Sequence, residues 1–278
     1  MPASAEDNAA KFPDERPVAR IGMLTPSSNT VLEPVTSNIL GGFDGDASAH
    51  FGRFRVTEIS LSERSQSQFD IAPILQAAEL LADANVDVIA WNGTSSAWLG
   101  LDKDVALARA IETATGIATT TTMIAYERLF EAASVARIGL VTPYLGEIQD
   151  RIIANYAARG IEVVAERHLE DRGNFSFCSY GEAEIAALVR EVAKAKPQMI
   201  AIVCTNFRGA GIAASIEREC GIPVVDSVSI TAWATARLAG LDTARITGWG
   251  QLFSAYPDVA GLRPMADLER RTSAASPY

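Results

Sequence analysis

Much of this chain is written twice. Ala19-Arg20-Ile21-Gly22-Met23-Leu24-Thr25-Pro26 returns as Ala136-Arg137-Ile138-Gly139-Leu140-Val141-Thr142-Pro143. Each copy is a short apolar run stopped by Thr-Pro, the pattern of a buried parallel strand that ends at a loop. Val88-Ile89-Ala90-Trp91-Asn92-Gly93-Thr94-Ser95 lines up with Met199-Ile200-Ala201-Ile202-Val203-Cys204-Thr205-Asn206, again an apolar strand running into small polar residues. A third pair, Thr115-Gly116-Ile117-Ala118 and Cys220-Gly221-Ile222-Pro223, precedes helical stretches from Met123 to Ala133 and from Ile230 to Ala239. Because the echoes recur in one order, the second half must build what the first half builds. Their separations shrink slightly from pair to pair, so loop lengths differ between the halves.

Apolar residues at helical spacing mark Ile71 to Ala84, Val105 to Thr113, Ile148 to Ala158, Glu182 to Ala195 and Ala210 to Arg218. Strands alternating with helices imply parallel sheets covered by helices, with right-handed crossovers. The expected fold class is α/β: two pseudo-symmetric parallel-sheet halves, flavodoxin-like, with the active site in the cleft between them. The halves are drawn as residues 19–115 plus 225–278 and residues 116–224, after a polar, mobile leader at 1–18. In open α/β sheets the loops at the carboxyl ends of strands build the site. Both Thr-Pro loops, the Gly93 loop and the Cys204 loop sit at such ends.

Composition narrows the function. The 278 residues carry a net charge of −10 with no basic run, which argues against nucleic acid or an anionic membrane as partner. A small carboxylate substrate is still compatible, because local groups set a pocket. No apolar run approaches the roughly 20 residues that span a bilayer. The start lacks the apolar centre of a secretory signal, so a cytoplasmic protein is expected. Three widely spaced cysteines, Cys178, Cys204 and Cys220, suggest no disulfide framework and fit a reducing compartment. The two histidines, His50 and His168, form no ligand-spaced cluster. Neither a metal nor an organic cofactor is expected. Nucleotide-binding glycine loops are absent, as is the Gly-x-Ser-x-Gly of a hydrolase elbow. A homo-oligomer stays open.

Cys204 ends a continuous apolar strand, next to a loop and a helix start. Backbone N–H groups and the helix dipole there are expected to lower its thiol from about 8.5; the alternative is a buried core cysteine. Cys220 reads as packing at a helix end, and Cys178 as structural in a polar-aromatic loop. Gly93-Thr94-Ser95-Ser96 offers a glycine, hydroxyls and N–H groups suited to an oxyanion, or equally a capped helix start. Ser28 and Asn29, in Pro26-Ser27-Ser28-Asn29-Thr30, form another hydroxyl and amide cluster that could serve either use. Tyr144 fits a hydrogen-bond donor or a wall. Trp91 and Trp98 read as core or pocket wall.

These residues resemble the aspartate/glutamate racemase superfamily, in particular its maleate isomerase and arylmalonate decarboxylase branches. The resemblance runs from about Arg20 to Gly240. Ile21-Gly22 with Pro26-Ser27-Ser28-Asn29-Thr30 looks like the opening of maleate isomerases, and Thr142-Pro143-Tyr144 like the second-half loop of both branches. Asn174 falls where the isomerases carry a substrate-binding Asn. Cys204 with Gly221-Ile222-Pro223-Val224-Val225 looks like the second cysteine and its following strand. The superfamily implies cofactor-free chemistry at the interface of the halves, and its racemases use one cysteine from each half. Here the counterpart of Cys204 is Gly93, and Gly93-Thr94-Ser95 matches the decarboxylase motif. Cys204 is followed by Thr205-Asn206 rather than a glycine pair; both are counted with Ser28 among the expected substrate-binding residues, and the substrate can differ from an arylmalonate.

The resemblance therefore implies three readings. In the first, a malonate-type acid loses CO₂; Gly93, Thr94, Ser95 and Tyr144 hold the enediolate, and Cys204 protonates one face. In the second, Cys204 serves a maleate cis-trans isomerase or a racemase, with Asn29, Tyr144 and Asn174 on the carboxylates. The third is a carboxylate-binding protein without turnover, since fold alone never proves catalysis.

Overall fold

The computed structural model describes residues 18–57 and 71–256. The expected leader, apart from Val18, and the stretch from residue 257 lie outside the described residues. The echoes are strands. The first sheet holds β1 (Ala19–Pro26), β2 (Ala47–Phe54), β3 (Val88–Trp91) and β4 (Ala118–Thr121); the second holds β5 (Arg137–Val141), β6 (Glu162–Arg167), β7 (Met199–Ile202) and β8 (Val224–Asp226). Both are parallel, in the orders β2-β1-β3-β4 and β6-β5-β7-β8. The repeat holds in register as well as in sequence. Gly22 faces Ile89 and Gly139 faces Ile200. Ile89 then faces Thr119, and Ile200 faces Val224. Residues 93 and 204 therefore stand at equivalent places in their sheets.

The helices are α1 (Leu32–Leu40), α2 (Ile71–Asp83), α3 (Ser96–Leu99), α4 (Leu101–Thr115), α5 (Thr122–Ala132), α6 (Gly146–Ala157), α7 (Glu182–Ala193), α8 (Ala213–Cys220), α9 (Ser227–Leu238) and α10 (Leu252–Ala255). The central strands are buried on both faces, from Ile21 to Leu24 in β1 and throughout β3 and β7, which is why they read as unbroken apolar runs. The third echo is a pair of helix stops. Gly116 after α4 and Gly221 after α8 adopt left-handed φ values of 72° and 69°, which a Cβ would oppose.

Two sequence expectations shift. The boundary at 115/116 falls before β4, yet β4 is hydrogen-bonded to β3 throughout and so belongs to the first sheet; the boundary at 224/225 cuts β8, whose Val225 and Asp226 pair with β7 in the second sheet. The edge strands β2 and β6 and helix α1 carry no clear periodic signal. Each edge strand has one ladder partner and stays half-buried, so its composition is mixed.

The two halves interlock through the helices that follow β4 and β8. Helix α9 packs on α1, β3 and β4 of the first half. Tyr126 of α5 sends its hydroxyl to the Ile202 and Val225 carbonyls of the second sheet at 3.1 and 3.0 Å. Thr122 and Thr231 join α5 to α9 at 2.8 Å. The carboxyl ends of both sheets are thus held at one shared interface.

Candidate active site

Cys204 lies two residues past the end of β7 and is buried, with 2% of its surface exposed. Its sulfur is hydrogen-bonded by the Asn206 N–H and the Tyr144 hydroxyl. Burial nevertheless pushes the thiol up to about 12; those two bonds oppose the rise, while the nearby carboxyls of Asp226 and Asp171 add to it. The expected lowering is therefore reversed. The strand end does supply an N–H group, but desolvation of a thiolate in this dry place outweighs it.

Tyr144 is the hinge of the site. It is fully buried, clamped edge-on between Trp98 of the first half (5.3 Å) and Phe177 of the second (5.5 Å). Its hydroxyl meets Thr94 Oγ1 at 2.6 Å as well as the Cys204 sulfur. Thr94 therefore turns its hydroxyl across the interface instead of capping a helix. Ser95 occupies the N-cap of α3 without a side-chain cap bond, and its carbonyl accepts the Trp98 and Leu99 N–H groups. Gly93, between Asn92 and Thr94, completes this loop.

The second half mirrors the arrangement. Thr205, the counterpart of Thr94, accepts a hydrogen bond at 3.1 Å from Asn29 in the opening loop of the other half. Each threonine thus reaches the first loop of the opposite half. Asn29 does two jobs, since its carbonyl oxygen also accepts the Val31 and Leu32 N–H groups at the start of α1.

Ser28, Asn174 and Asn206 form a strap beside this pair. The Asn174 amide donates to Ser28 Oγ at 2.8 Å, and the Asn206 amide to the Asn174 carbonyl at 2.6 Å. The Asn206 carbonyl oxygen accepts the Thr30 and Val31 N–H groups at 3.0 and 3.3 Å. All ten residues singled out in the sequence are gathered here. They divide into a thiol group (Cys204, Tyr144, Thr94, with Gly93 and Ser95) and a polar strap (Ser28, Asn29, Asn174, Thr205, Asn206).

A sequence model of the arylmalonate decarboxylase family matches residues 41–253. This chain belongs to that family. Within it, the chain is 28% identical to an arylmalonate decarboxylase of Bordetella bronchiseptica over 186 residues, covering 66% of this chain and 78% of that one. It is also 26% identical to a maleate isomerase of Nocardia farcinica over 245 residues, 84% of this chain and 95% of the other. These relatives are enzymes. Among solved structures, the Nocardia farcinica isomerase with a covalently bound succinylcysteine superposes with a TM-score of 0.78 at 22% identity, covering 86% of this chain and 99% of that one. Unliganded arylmalonate decarboxylase superposes with a TM-score of 0.71 at 23% identity, over 86% and 100%. The α/β fold of two four-stranded parallel sheets is shared with both.

For this member of the family, sequence reasoning missed two carboxyls. Asp226, at the end of β8, is fully buried. One oxygen caps α9 through the Val228 and Ser229 N–H groups at 2.8 and 3.2 Å; the other has no hydrogen-bond partner among the described residues. Burial pushes its pKa up to about 7. The available signal was Asp before Ser at the close of an apolar run, a helix-start pattern. Asp171 ties down the Asn174 loop by accepting from Ser176 and Tyr180. Among the described residues, no group of three potential ligands could hold a metal ion, and no helix is long and apolar enough to cross a membrane.

Proposed function

We propose that this chain is a cofactor-independent decarboxylase of a malonate-type dicarboxylic acid. The carboxylate that leaves as CO₂ gives its C–C bonding electrons to the remaining carboxylate, forming an enediolate. Thr94, Tyr144 and the backbone of the Gly93–Ser95 loop stabilise the charge growing on that group. Cys204 then delivers its thiol proton to the carbon, and the thiolate recovers a proton from water.

One observation carries this reading. Position 93, equivalent to 204 in both sequence and strand register, is glycine, so the site has one thiol to give a proton and its counterpart has none. The burial of Cys204 supports the same role, because a thiol pushed up to about 12 stays protonated at neutral pH and is a proton donor rather than a standing nucleophile. Threonine and serine hydroxyls are far weaker acids and make poor substitutes for a second thiol. A single donor implies a product of one hand.

Cis-trans isomerisation of a small dicarboxylate is the second reading. It is favoured by the longer stretch of this chain that the Nocardia farcinica isomerase matches. It asks Cys204 to add to a double bond as a thiolate, the form that burial disfavours here. In either reading the partner is a small carboxylate.

Proton NMR in D₂O with substituted malonates, maleate and amino-acid enantiomers separates the two. Release of CO₂ with one deuterium placed stereospecifically, abolished in Cys204→Ala, is the expected result. Conversion of maleate to fumarate without CO₂ release overturns it.

A further inference from the structure

We propose that Trp91 is the residue that commits this site to one thiol, and so to a product of one hand. The proposal deepens the decarboxylase reading, and its stereochemical consequence rests on that reading.

The argument starts from the paired positions. Gly93 and Cys204 are equivalent, and so are Trp91 and Ile202, each two residues earlier on the strand. Side chains two apart lie on the same face of an extended chain. A Cβ built on Gly93 would stand 1.9 Å from Trp91 Cζ2, 2.1 Å from Cε2 and 2.6 Å from Cη2. The indole ring therefore fills the space a side chain at 93 would enter. It is no flexible tip. Trp91 is 1% exposed, and its ring packs on Phe54 at 4.9 Å with the planes tilted by 49°. The equivalent place in the second half carries the Cys204 thiol, with the smaller Ile202 behind it.

The sterics also account for the chemistry. An indole presents a flat apolar surface, and its N–H is too weak an acid to protonate carbon. In one half the strand end offers a proton; in the other it offers a wall. Glycine at 93 alone would leave a gap that a cysteine could fill by a single substitution. Glycine beneath Trp91 closes that route, because any larger residue at 93 requires the ring to move. Trp91 is thus a specificity-determining residue, acting through the shape of the face opposite Cys204.

The test is a cycle of Gly93→Ala, Gly93→Cys, Trp91→Leu and the double variant W91L/G93C, with Trp91→Phe as a milder replacement that keeps an aromatic contact for Phe54. The first readout needs no substrate. Gly93→Ala and Gly93→Cys should each lower the melting temperature by about 5 °C or more through overpacking. The same changes should cost much less in the Trp91→Leu background. Equal losses in both backgrounds, or no loss in either, overturn the steric exclusion.

The second readout uses a prochiral malonate bearing methyl and phenyl groups, and the two enantiomers of its monoacid product, in D₂O. The unaltered protein should place deuterium on one face and leave the product's α-proton in place. W91L/G93C should wash out that proton from both enantiomers at least tenfold faster than Gly93→Cys alone. Equal washout by Gly93→Cys alone overturns the role of Trp91. Failure of the unaltered protein to decarboxylate any malonate overturns the reaction and its stereochemical consequence, while the melting cycle still decides whether Trp91 excludes a side chain at 93.

Discussion

Asp226→Asn should flatten the stability of this protein against pH and quicken the alkylation of Cys204. The carboxyl is fully buried, and burial raises it to about 7 although the N–H groups of Ser229, Val228 and Ser227 pull the other way. In the unfolded chain an Asp titrates near about 3.9. Between those two values the unfolded chain has released its proton while the folded protein keeps it. The contribution of this group is therefore complete below about pH 4 and is lost as pH rises through 7. Roughly three pKa units at about 1.36 kcal/mol each amount to about 4 kcal/mol, of which roughly half falls between pH 5 and 7. Asparagine keeps an oxygen for the Val228 and Ser229 N–H groups and does not titrate. Asp104, also buried and raised to about 7, slopes the same way in both proteins, so the difference between them isolates Asp226.

Urea unfolding at pH 5, 6, 7 and 8 measures this. The unaltered protein should lose about 2–3 kcal/mol more than the variant over that range. Parallel curves would refute the reasoning. The thiol gives an independent check. A Cβ on Gly209, in the loop after Cys204, would stand 2.6 Å from Asp226 Oδ2, so the unpartnered oxygen lies against that loop. Above pH 7 its charge helps hold the thiol up, after burial. Removing it should speed iodoacetamide labelling of Cys204 above pH 7 and leave labelling unchanged below pH 6. Equal rates at pH 8 would show that the charge does not reach the sulfur.

Two further changes probe the two clusters of the site. Tyr144→Phe deletes the hydroxyl shared by Thr94 and the Cys204 sulfur. If the proposed decarboxylation holds, it should lower kcat about 10²–10³-fold on a malonate substrate, and kcat within about threefold of the unaltered protein would remove Tyr144 from the proposed oxyanion site. Asn206→Ala severs the bonds to Thr30, Val31 and Asn174. Stranding those groups should cost about 2–4 kcal/mol in urea unfolding, and a cost below about 1 kcal/mol would mean that the strap does not hold the halves together.

The fold was legible because both central strands of each half are buried on both faces, and a buried strand has little freedom in composition. Ile21–Leu24 and Ile138–Val141 hold only glycine and apolar side chains for that reason. The edge strands β2 and β6 are only half-buried, so drift left nothing to recognise. The site was legible as a set of loops but not as a set of bonds. Sequence placed Asn174 and Asn206 at the cleft as substrate contacts but could not show that Asn174 also donates to Ser28 and Asn206 to the Asn174 carbonyl. The thiol went the other way from expectation because strand-end position is visible in a sequence and the depth of burial is not. Asp226 was overlooked for a similar reason: an Asp before Ser looks like a surface helix cap, and only packing shows that its second oxygen is sealed in.

A duplicated fold begins with two equal half-sites, so the direction of its chemistry has to come from positions where the copies part. Four such pairs meet at this interface. Ser27 stands opposite Tyr144, Trp91 opposite Ile202, Gly93 opposite Cys204, and Ser95 opposite Asn206. A pair that stays identical, Thr94 and Thr205, keeps the symmetric task of reaching into the other half. Tyr144, Cys204 and Asn206 all fall in the second half, so the acid, its hydrogen-bond partner and the backbone N–H on its sulfur are collected on one side. The first half keeps the wall, the hydroxyls and the loop backbone. Under the proposed reaction, a carboxylate lying between them would meet a proton donor on one face and indole on the other, which is the asymmetry that one-handed protonation requires.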